Sequence, residues 1–374
     1  MTDGVLLHLI EPAAWRSALT RGAVRPPSLE TLGFVHLSAP EQVHLPAERL
    51  FPGRRDLVLL VVDPGRLTDP VRWEPGTPSD PEGMRFPHLY GPLPVAAVIA
   101  VVPYRPPAVP NLPAPDDSAG RALALHGSVP VRRAAEVRDV PGGIAVVDPR
   151  FRHFRDDNRL LLTSPVDADT VERTAAALAA EVGWPYLAAS LAWPRAADVA
   201  RELAGRDWPV SELVRMTRPA TPMDGGTRAE VADQREVHGL WDRSWRALLD
   251  GRVRDLDVVV GQLIGREERN DTALAVSDIV VREEGHVVAA GQLRIDGATA
   301  AVDSVLTDDA FRGRGCARAV LARAVSLAAD AGCDLVVLEA MADDWPRHWY
   351  ERAGFRRVAS VWDVARPRSS RADM

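Results

Sequence analysis

Lysine is absent from this chain of 374 residues; all 45 of its Lys and Arg residues are arginine. A nucleoside-triphosphate loop of the Gly-Lys-Ser/Thr kind is therefore excluded, as is Schiff-base chemistry on a lysine amine. Cysteine is nearly absent. Cys316 and Cys333 are the two present, too few for a disulfide framework and wrongly spaced for a zinc site. No apolar run approaches the ~20 residues needed to span a bilayer, and Val5–Ile10, interrupted by His8, is not a signal peptide. A net charge of −7 leaves no overall basic field to hold a polyanion. The expectation is a soluble, cytoplasmic chain with no nucleic-acid, membrane or metal partner.

A chain of this length, with 46% hydrophobic residues, is too long for one ordinary core and divides into two or three domains. Six prolines lie between Pro103 and Pro115, followed by Asp116-Asp117-Ser118-Ala119-Gly120. Such a stretch forms neither helix nor central strand and predicts an extended spacer over 106–120. It sets off an N-terminal unit, 1–105, expected to fold independently.

The most informative stretch is Val305-Leu306-Thr307-Asp308-Asp309-Ala310-Phe311-Arg312-Gly313-Arg314-Gly315-Cys316-Ala317. It reads as a strand end, an acidic turn and a glycine-rich loop that opens a helix over Ala317–Ala331, with Gly332 as its stop. Such a loop aims backbone N–H groups and the positive end of a helix dipole at one point, where a pyrophosphate fits.

The spacing Arg312-x-x-Gly315-x-Ala317 resembles the acetyl-coenzyme A signature of the GNAT N-acetyltransferase superfamily. Leu335–Glu339 is placed as the next parallel strand, and Tyr350-Glu351-Arg352-Ala353-Gly354-Phe355 resembles that family's terminal helix and turn; the likeness spans roughly 229 to 366. It implies acetyl-coenzyme A as co-substrate, held by Val305, Leu306 and Thr307 along the pantetheine and by Arg312, Gly313, Arg314, Gly315, Cys316 and Ala317 at the phosphates. It also implies Tyr350 as the acid that protonates the departing thiolate. The motif does not fix the general base; Asp303 and Glu339 are the candidates. Asp343 stands where many relatives have asparagine. Ala229–Leu249 reads as a helix on which Trp241 and Trp245 belong to the core or to the acceptor pocket.

An internal repeat is also visible. Leu161-Leu162-Thr163 parallels Val305-Leu306-Thr307, and both lead into a turn and an alanine-rich helix. Tyr186–Leu191 then parallels Leu335–Leu338, and Trp193-Pro194-Arg195 parallels Trp345-Pro346-Arg347. The first copy has Ser164-Pro165-Val166-Asp167-Ala168-Asp169 in place of the phosphate loop, without glycine and with two acids. This predicts a degenerate GNAT-like lobe over 121–220 in tandem with an acetyltransferase domain over 221–374, and one acetyl-coenzyme A per chain.

In the N-terminal unit, His8 lies on a short apolar strand. Gly33-Phe34-Val35-His36-Leu37-Ser38 and Phe86-Pro87-His88-Leu89-Tyr90 follow. The set resembles a small bacterial family of unknown function, the domain of unknown function 952 family, similar in fold to ADP-ribosyltransferases. That likeness implies a nicotinamide-ribose pocket at His8, His36, Ser38 and His88, with Glu74 the nearest candidate for a catalytic acid. The expected fold class is mixed: an ADP-ribosyltransferase-like α+β domain, then tandem GNAT folds of mixed sheet flanked by helices. The expected activity is acetyl transfer to an amine, either of a small molecule or of a protein N-terminus. The alternatives are a non-catalytic acetyl-coenzyme A sensor and NAD-dependent transfer by the N-terminal domain.

Overall fold

The computed structural model describes residues 4–76, 81, 83–108, 110–253 and 255–368, so Val109 of the expected spacer lies outside the described residues. The N-terminal unit contains β1 (Leu6–Ile10), α1 (Pro12–Arg21), β2 (Ala23–Val24), α2 (Pro27–Thr31), β3 (Val35–His36), α3 (His44–Leu50) and β4 (Leu57–Val62). It continues with β5 (Val71–Glu74), β6 (Phe86–Leu89), β7 (Leu93–Pro94) and β8 (Val98–Tyr104). Its main sheet has the order β1-β4-β8. The unbroken apolar run of β4 reflects burial on both faces: Val58, Leu60 and Val62 enter one core, and Leu57, Leu59 and Val61 the other.

The rest of the chain begins with α4 (Ser118–Arg133), β9 (Glu136–Val140), β10 (Gly143–Val147), β11 (Arg159–Leu162), α5 (Ala168–Val182), β12 (Tyr186–Leu191), α6 (Ala196–Ala204) and β13 (Val210–Pro219). It then forms β14 (Ala229–Ala232), α7 (Gln234–Leu249), α8 (Leu256–Gly265), β15 (Ala275–Glu283), β16 (His286–Asp296) and β17 (Thr299–Thr307). It ends with α9 (Cys316–Asp330), β18 (Leu335–Met341), α10 (Trp345–Arg352) and β19 (Arg356–Pro367). The predicted helix over Ala229–Leu249 is thus a strand followed by a helix. Asp233 breaks it: its side chain accepts from Arg235 N–H while Glu236 reaches back, a capping box that starts α7 afresh.

Among the described residues, one sheet of eleven strands runs β14-β15-β16-β17-β18-β13-β19-β12-β11-β10-β9. Each half has one parallel crossover, β11–α5–β12 and β17–α9–β18. The last strand of each half enters the other: β13 lies between β18 and β19, and β19 between β13 and β12. The segments 121–220 and 221–374 are therefore not separate bodies in space. Val214 and Met216 of β13 join the core under α9, and Val210 packs on the core under α5 and α6. Alternation places all three on one face, so these helices share a face of the sheet. Helix α4 covers part of the other, where Ala122, Leu125 and Val129 meet Ala301, Leu335 and Val337.

The proline-rich stretch does not hold the N-terminal unit at a distance. Asp117 caps α4 through Gly120 N–H at 2.8 Å, which ends the spacer before residue 118. The β16–β17 turn docks directly on β8: Ala298 N–H donates to Val98 O at 2.7 Å, and Thr299 Oγ1 to Ile99 O at 2.7 Å. Trp15 Nε1 donates to the buried Asp296 at 2.8 Å, and Arg132 pairs with the same carboxylate at 2.5 Å. These contacts join groups far apart in the chain and seat the N-terminal unit on the rest of the molecule.

Candidate functional site

Strands β17 and β18 run together only briefly. Their parallel register covers Thr299–Ala301 against Leu335–Val337 and then stops. Two irregularities turn β17 away: its register with β16 shifts between Ala290 and Gln292, and Ser304 has φ +54°. Beyond them, Leu306 and Thr307 pair with Ala290 and Ala289 of β16, and among the described residues neither pairs with β18. Asp308 N–H bonds back to Val288 O at 2.8 Å, so strand alternation sends the backbone groups of Val305 and Thr307 into the open gap.

The loop that follows ends at the start of α9. Gly313 and Gly315 have φ of +75° and +78°, a region that disfavours side chains. Consecutive amides from Gly313 to Arg318 take no acceptor among the described residues; the first intrahelical bond is Ala319 N–H to Gly315 O. Arg312 is exposed and pairs with Asp309 at 2.5 Å, while the Arg314 guanidinium lies 4.9 Å over the Phe311 ring. Arg228 Nη1 holds the loop from below by donating to Arg314 O at 2.9 Å. Cys316 is buried and packs in the core. A groove of about 790 Å³ runs along the loop's outer side, between α7 and the β15–β16 turn, past Arg243, His286, Asp308 and Arg314.

The corresponding turn of the first half is closed. Asp167 Oδ1 accepts from Thr170 N–H at 2.8 Å and caps α5, and Asp169 pairs with Arg206 at 2.6 Å. The carboxylates thus occupy the helix end where an anion would sit. The two Trp-Pro-Arg triplets do not occupy equivalent places: Arg195 is the residue before α6, whereas Trp345 opens α10. Trp193 is buried and Trp345 exposed.

Tyr350 lies on α10, partly buried against Trp349 and Phe355. Asp303 and Glu339 share the sheet face opposite α9, but neither is suited to act as a base. Burial alone would raise the Asp303 carboxyl, yet Arg294, Arg266 and the Ser304 N–H outweigh it and hold it at about 2. Glu339 is committed to an ion pair with Arg215. Trp241 is core, in a cluster with Val237, Leu240 and Val280, and Trp245 packs at its edge.

Sequence reasoning missed several charged groups around Asp303: His126, Asp156, Arg159, Arg215, Arg294 and Asp363. Their only local cue is a lone arginine inside the apolar run Leu213–Met216.

The N-terminal residues do come together. His36 and His88 face each other across β3 and β6, with ring centroids 5.1 Å apart. His8 Nδ1 lies 2.8 Å from His36 O, and Ser38 pairs with Leu7 in an isolated bridge. Burial lowers the pKa of both His8 and His36. Glu74 accepts from Tyr90 OH at 2.8 Å and lies 3.2 Å from His88 Nδ1. Phe34, which the sequence reading did not single out, stacks on His88 at 4.0 Å.

Residues 238–355 match the model of the Acetyltransferase (GNAT) family, and residues 9–101 that of the Protein of unknown function (DUF952) family. No curated protein matches. Among solved structures, a functionally unknown conserved protein from Staphylococcus epidermidis shares the fold at 10% identity and a TM-score of 0.50, over 63% of this chain and 95% of that one. A GCN5-related N-acetyltransferase from Kribbella flavida is 18% identical with a TM-score of 0.46, over 70% of this chain and 99% of that one. Protein CC0527 from Caulobacter crescentus is 34% identical, with a TM-score of 0.24, over 26% of this chain and 84% of that one. Among the described residues, no helix is long and apolar enough to cross a membrane.

Proposed function

We propose, for a chain that belongs to the DUF952 family in its N-terminal domain and to the GNAT acetyltransferases in its C-terminal domain, that the C-terminal domain transfers the acetyl group of acetyl-coenzyme A to an amine. One observation carries this reading: the gap between β17 and β18 opens beside the unpaired amides of Gly313–Arg318. The residues present fit the co-substrate. Val305 and Thr307 offer backbone partners to the pantetheine arm, and the loop amides, with Arg312 and Arg314, take the pyrophosphate. The thioester supplies an activated acyl carbon. As the C–N bond forms and the C–S bond breaks, the nitrogen sheds a proton to water, and Tyr350 gives its own proton to the sulfur and regains one from solvent. The ammonium proton of the acceptor leaves to water, since Asp303 is too weak a base and Glu339 is paired.

In this reading residues 121–220 form a GNAT-like lobe whose capped α5 binds no nucleotide. The weakness of Asp303 as a base and the pairing of Glu339 favour a second reading, a sensor that binds acetyl-coenzyme A without turnover. A third activity, NAD-dependent transfer, has the gathering of His8, His36, Ser38, His88 and Glu74 in its favour. A thiol-release screen of amines with acetyl-coenzyme A decides between the first two. Turnover with any amine supports acetyl transfer, and tight binding without turnover supports the sensor.

A further inference from the structure

The face of the sheet opposite α9 gathers charged and titratable side chains from both halves of the chain. Asp303 comes from β17, Glu339 from β18, Arg215 from β13, Arg159 from β11, Asp363 from β19 and His126 from α4. These groups share one space: the charges of Asp363, Arg159, Asp156 and Asp303 all act on Arg215, and Asp303 also acts on Asp156 and Tyr350. Solvent reaches this cluster at Asp303 and Asp156, whose side chains are 50% and 47% exposed.

Arg215 is the most enclosed of these ion-pairing side chains. Its side chain is 6% exposed, and Nη1 pairs with Glu339. Its Nε, like that of Arg159 in the same cluster, is buried and has no hydrogen-bond partner among the described residues. None of Asp156, Asp303 and Asp363 forms a hydrogen bond with it, although each is near enough to act on it. A buried guanidinium with an unfilled donor is costly, and a planar carboxylate is the group whose two oxygens match its fork. Asp303, the acid that acts on Tyr350, pairs with Arg294 and accepts from Ser304 N–H at 2.6 Å, and its half-exposed carboxylate keeps a negative face toward an ammonium.

We infer that the acceptor is a zwitterion of amino-acid type, its carboxylate received by Arg215 and its ammonium drawn to Asp303 beside Tyr350. The inference rests on the acetyl-transfer reading and adds the acceptor's class. It also gives the first half of the chain a role in the site, because Arg215 is on the strand that half inserts between β18 and β19. Arg215 is then a specificity residue, while Tyr350 acts on the reacting atoms.

The test uses the full chain and acetyl-coenzyme A, with release of the coenzyme A thiol as readout. The acceptors are the common amino acids, each beside its methyl ester and its decarboxylated amine, together with linear diamines. The best amino acid is expected to exceed its ester and its decarboxylated amine by about tenfold or more in kcat/KM, because a site built to bind a polar group rejects analogues that lack it. Arg215→Gln is expected to abolish the preference, bringing the amino acid and its ester to the same kcat/KM. Should this central-strand variant fail to fold, the comparison of acceptors on the unsubstituted protein decides without it. Esters or decarboxylated amines as good as the free amino acids would overturn the inference while leaving acetyl transfer intact, and so would a preference for diamines. If no amine is acetylated, both the inference and the acetyl-transfer reading fall.

Discussion

Burial, and behind it the charge of Asp303, push the Tyr350 hydroxyl up to about 12. An acid so weak holds its proton across the whole neutral range. Replacing Tyr350 with Phe is expected to lower kcat about 10²-fold or more and to leave the affinity for acetyl-coenzyme A nearly unchanged. Activity should show no alkaline loss traceable to Tyr350 until the pH approaches about 12; an unchanged kcat in the variant would return Tyr350 to a packing role. At His126 the sign is opposite. Burial first, then Arg215, lowers its imidazole from the ordinary 6.5 to about 3, against the weaker pull of the Ala122 carbonyl and Asp303. The unfolded chain therefore takes up the proton first, and stability contributed by neutral His126 is lost as pH falls from 6.5 toward about 3. Urea unfolding at about pH 7 and pH 5 checks this, and His126→Gln should lose less stability than the parent over that step.

Among the elements, α9 and α5 occupy matching places after a parallel strand, yet their N-terminal ends differ. At α9 the chain bends through two left-handed glycines and leaves its amides open; at α5 Asp167 fills the same position from within. A Cβ at Gly315 would meet no atom within 4 Å, so the cost of a side chain there is backbone strain of about 1–2 kcal/mol rather than a clash. Gly315→Glu should remain folded and fail to bind acetyl-coenzyme A by calorimetry, since both bulk and charge then occupy the nest. Binding equal to the parent's would misplace the site. Equilibrium dialysis should find one acetyl-coenzyme A per chain, and two would show that the α5 end is open after all.

For the whole molecule, contacts far apart in sequence decide what can be removed. Asp296 is 2% exposed and holds both Trp15 and Arg132. Asp296→Ala leaves a buried guanidinium without its partner and should destabilise the protein by about 3–5 kcal/mol in denaturant titration. A loss under about 1 kcal/mol would mean that the interface with the N-terminal domain contributes little. A fragment starting near Thr227 lacks β13, so β18 and β19 have no strand between them. It is expected to aggregate through the exposed strand edges. A fragment starting near Gly120, which the proline-rich spacer alone suggested would be unaffected, uncovers Ala298 and the buried backbone around it and should lose stability.

The glycine loop, the two crossovers and the alanine-rich helices were legible in the sequence because each is local: an apolar strand, a turn, then a helix stop. β12 falls on the residues expected, Tyr186–Leu191, since an apolar run between turns can hardly do anything else. Spacing could also show that the first copy lacks a phosphate loop, but not that Asp167 would cap the helix in its place. Other features depended on long-range pairing. The exchange of β13 and β19 between the halves brings Arg215 against Glu339, 124 residues along the chain, which no periodicity reports. The docking of β8 on the β16–β17 turn likewise follows from buried N–H and C=O groups that must find partners wherever the fold supplies them. The sequence by itself determined the nucleotide end of the site, because a backbone nest is made by consecutive residues. The acceptor end draws one side chain from each of several distant strands, and only the tertiary structure decided it.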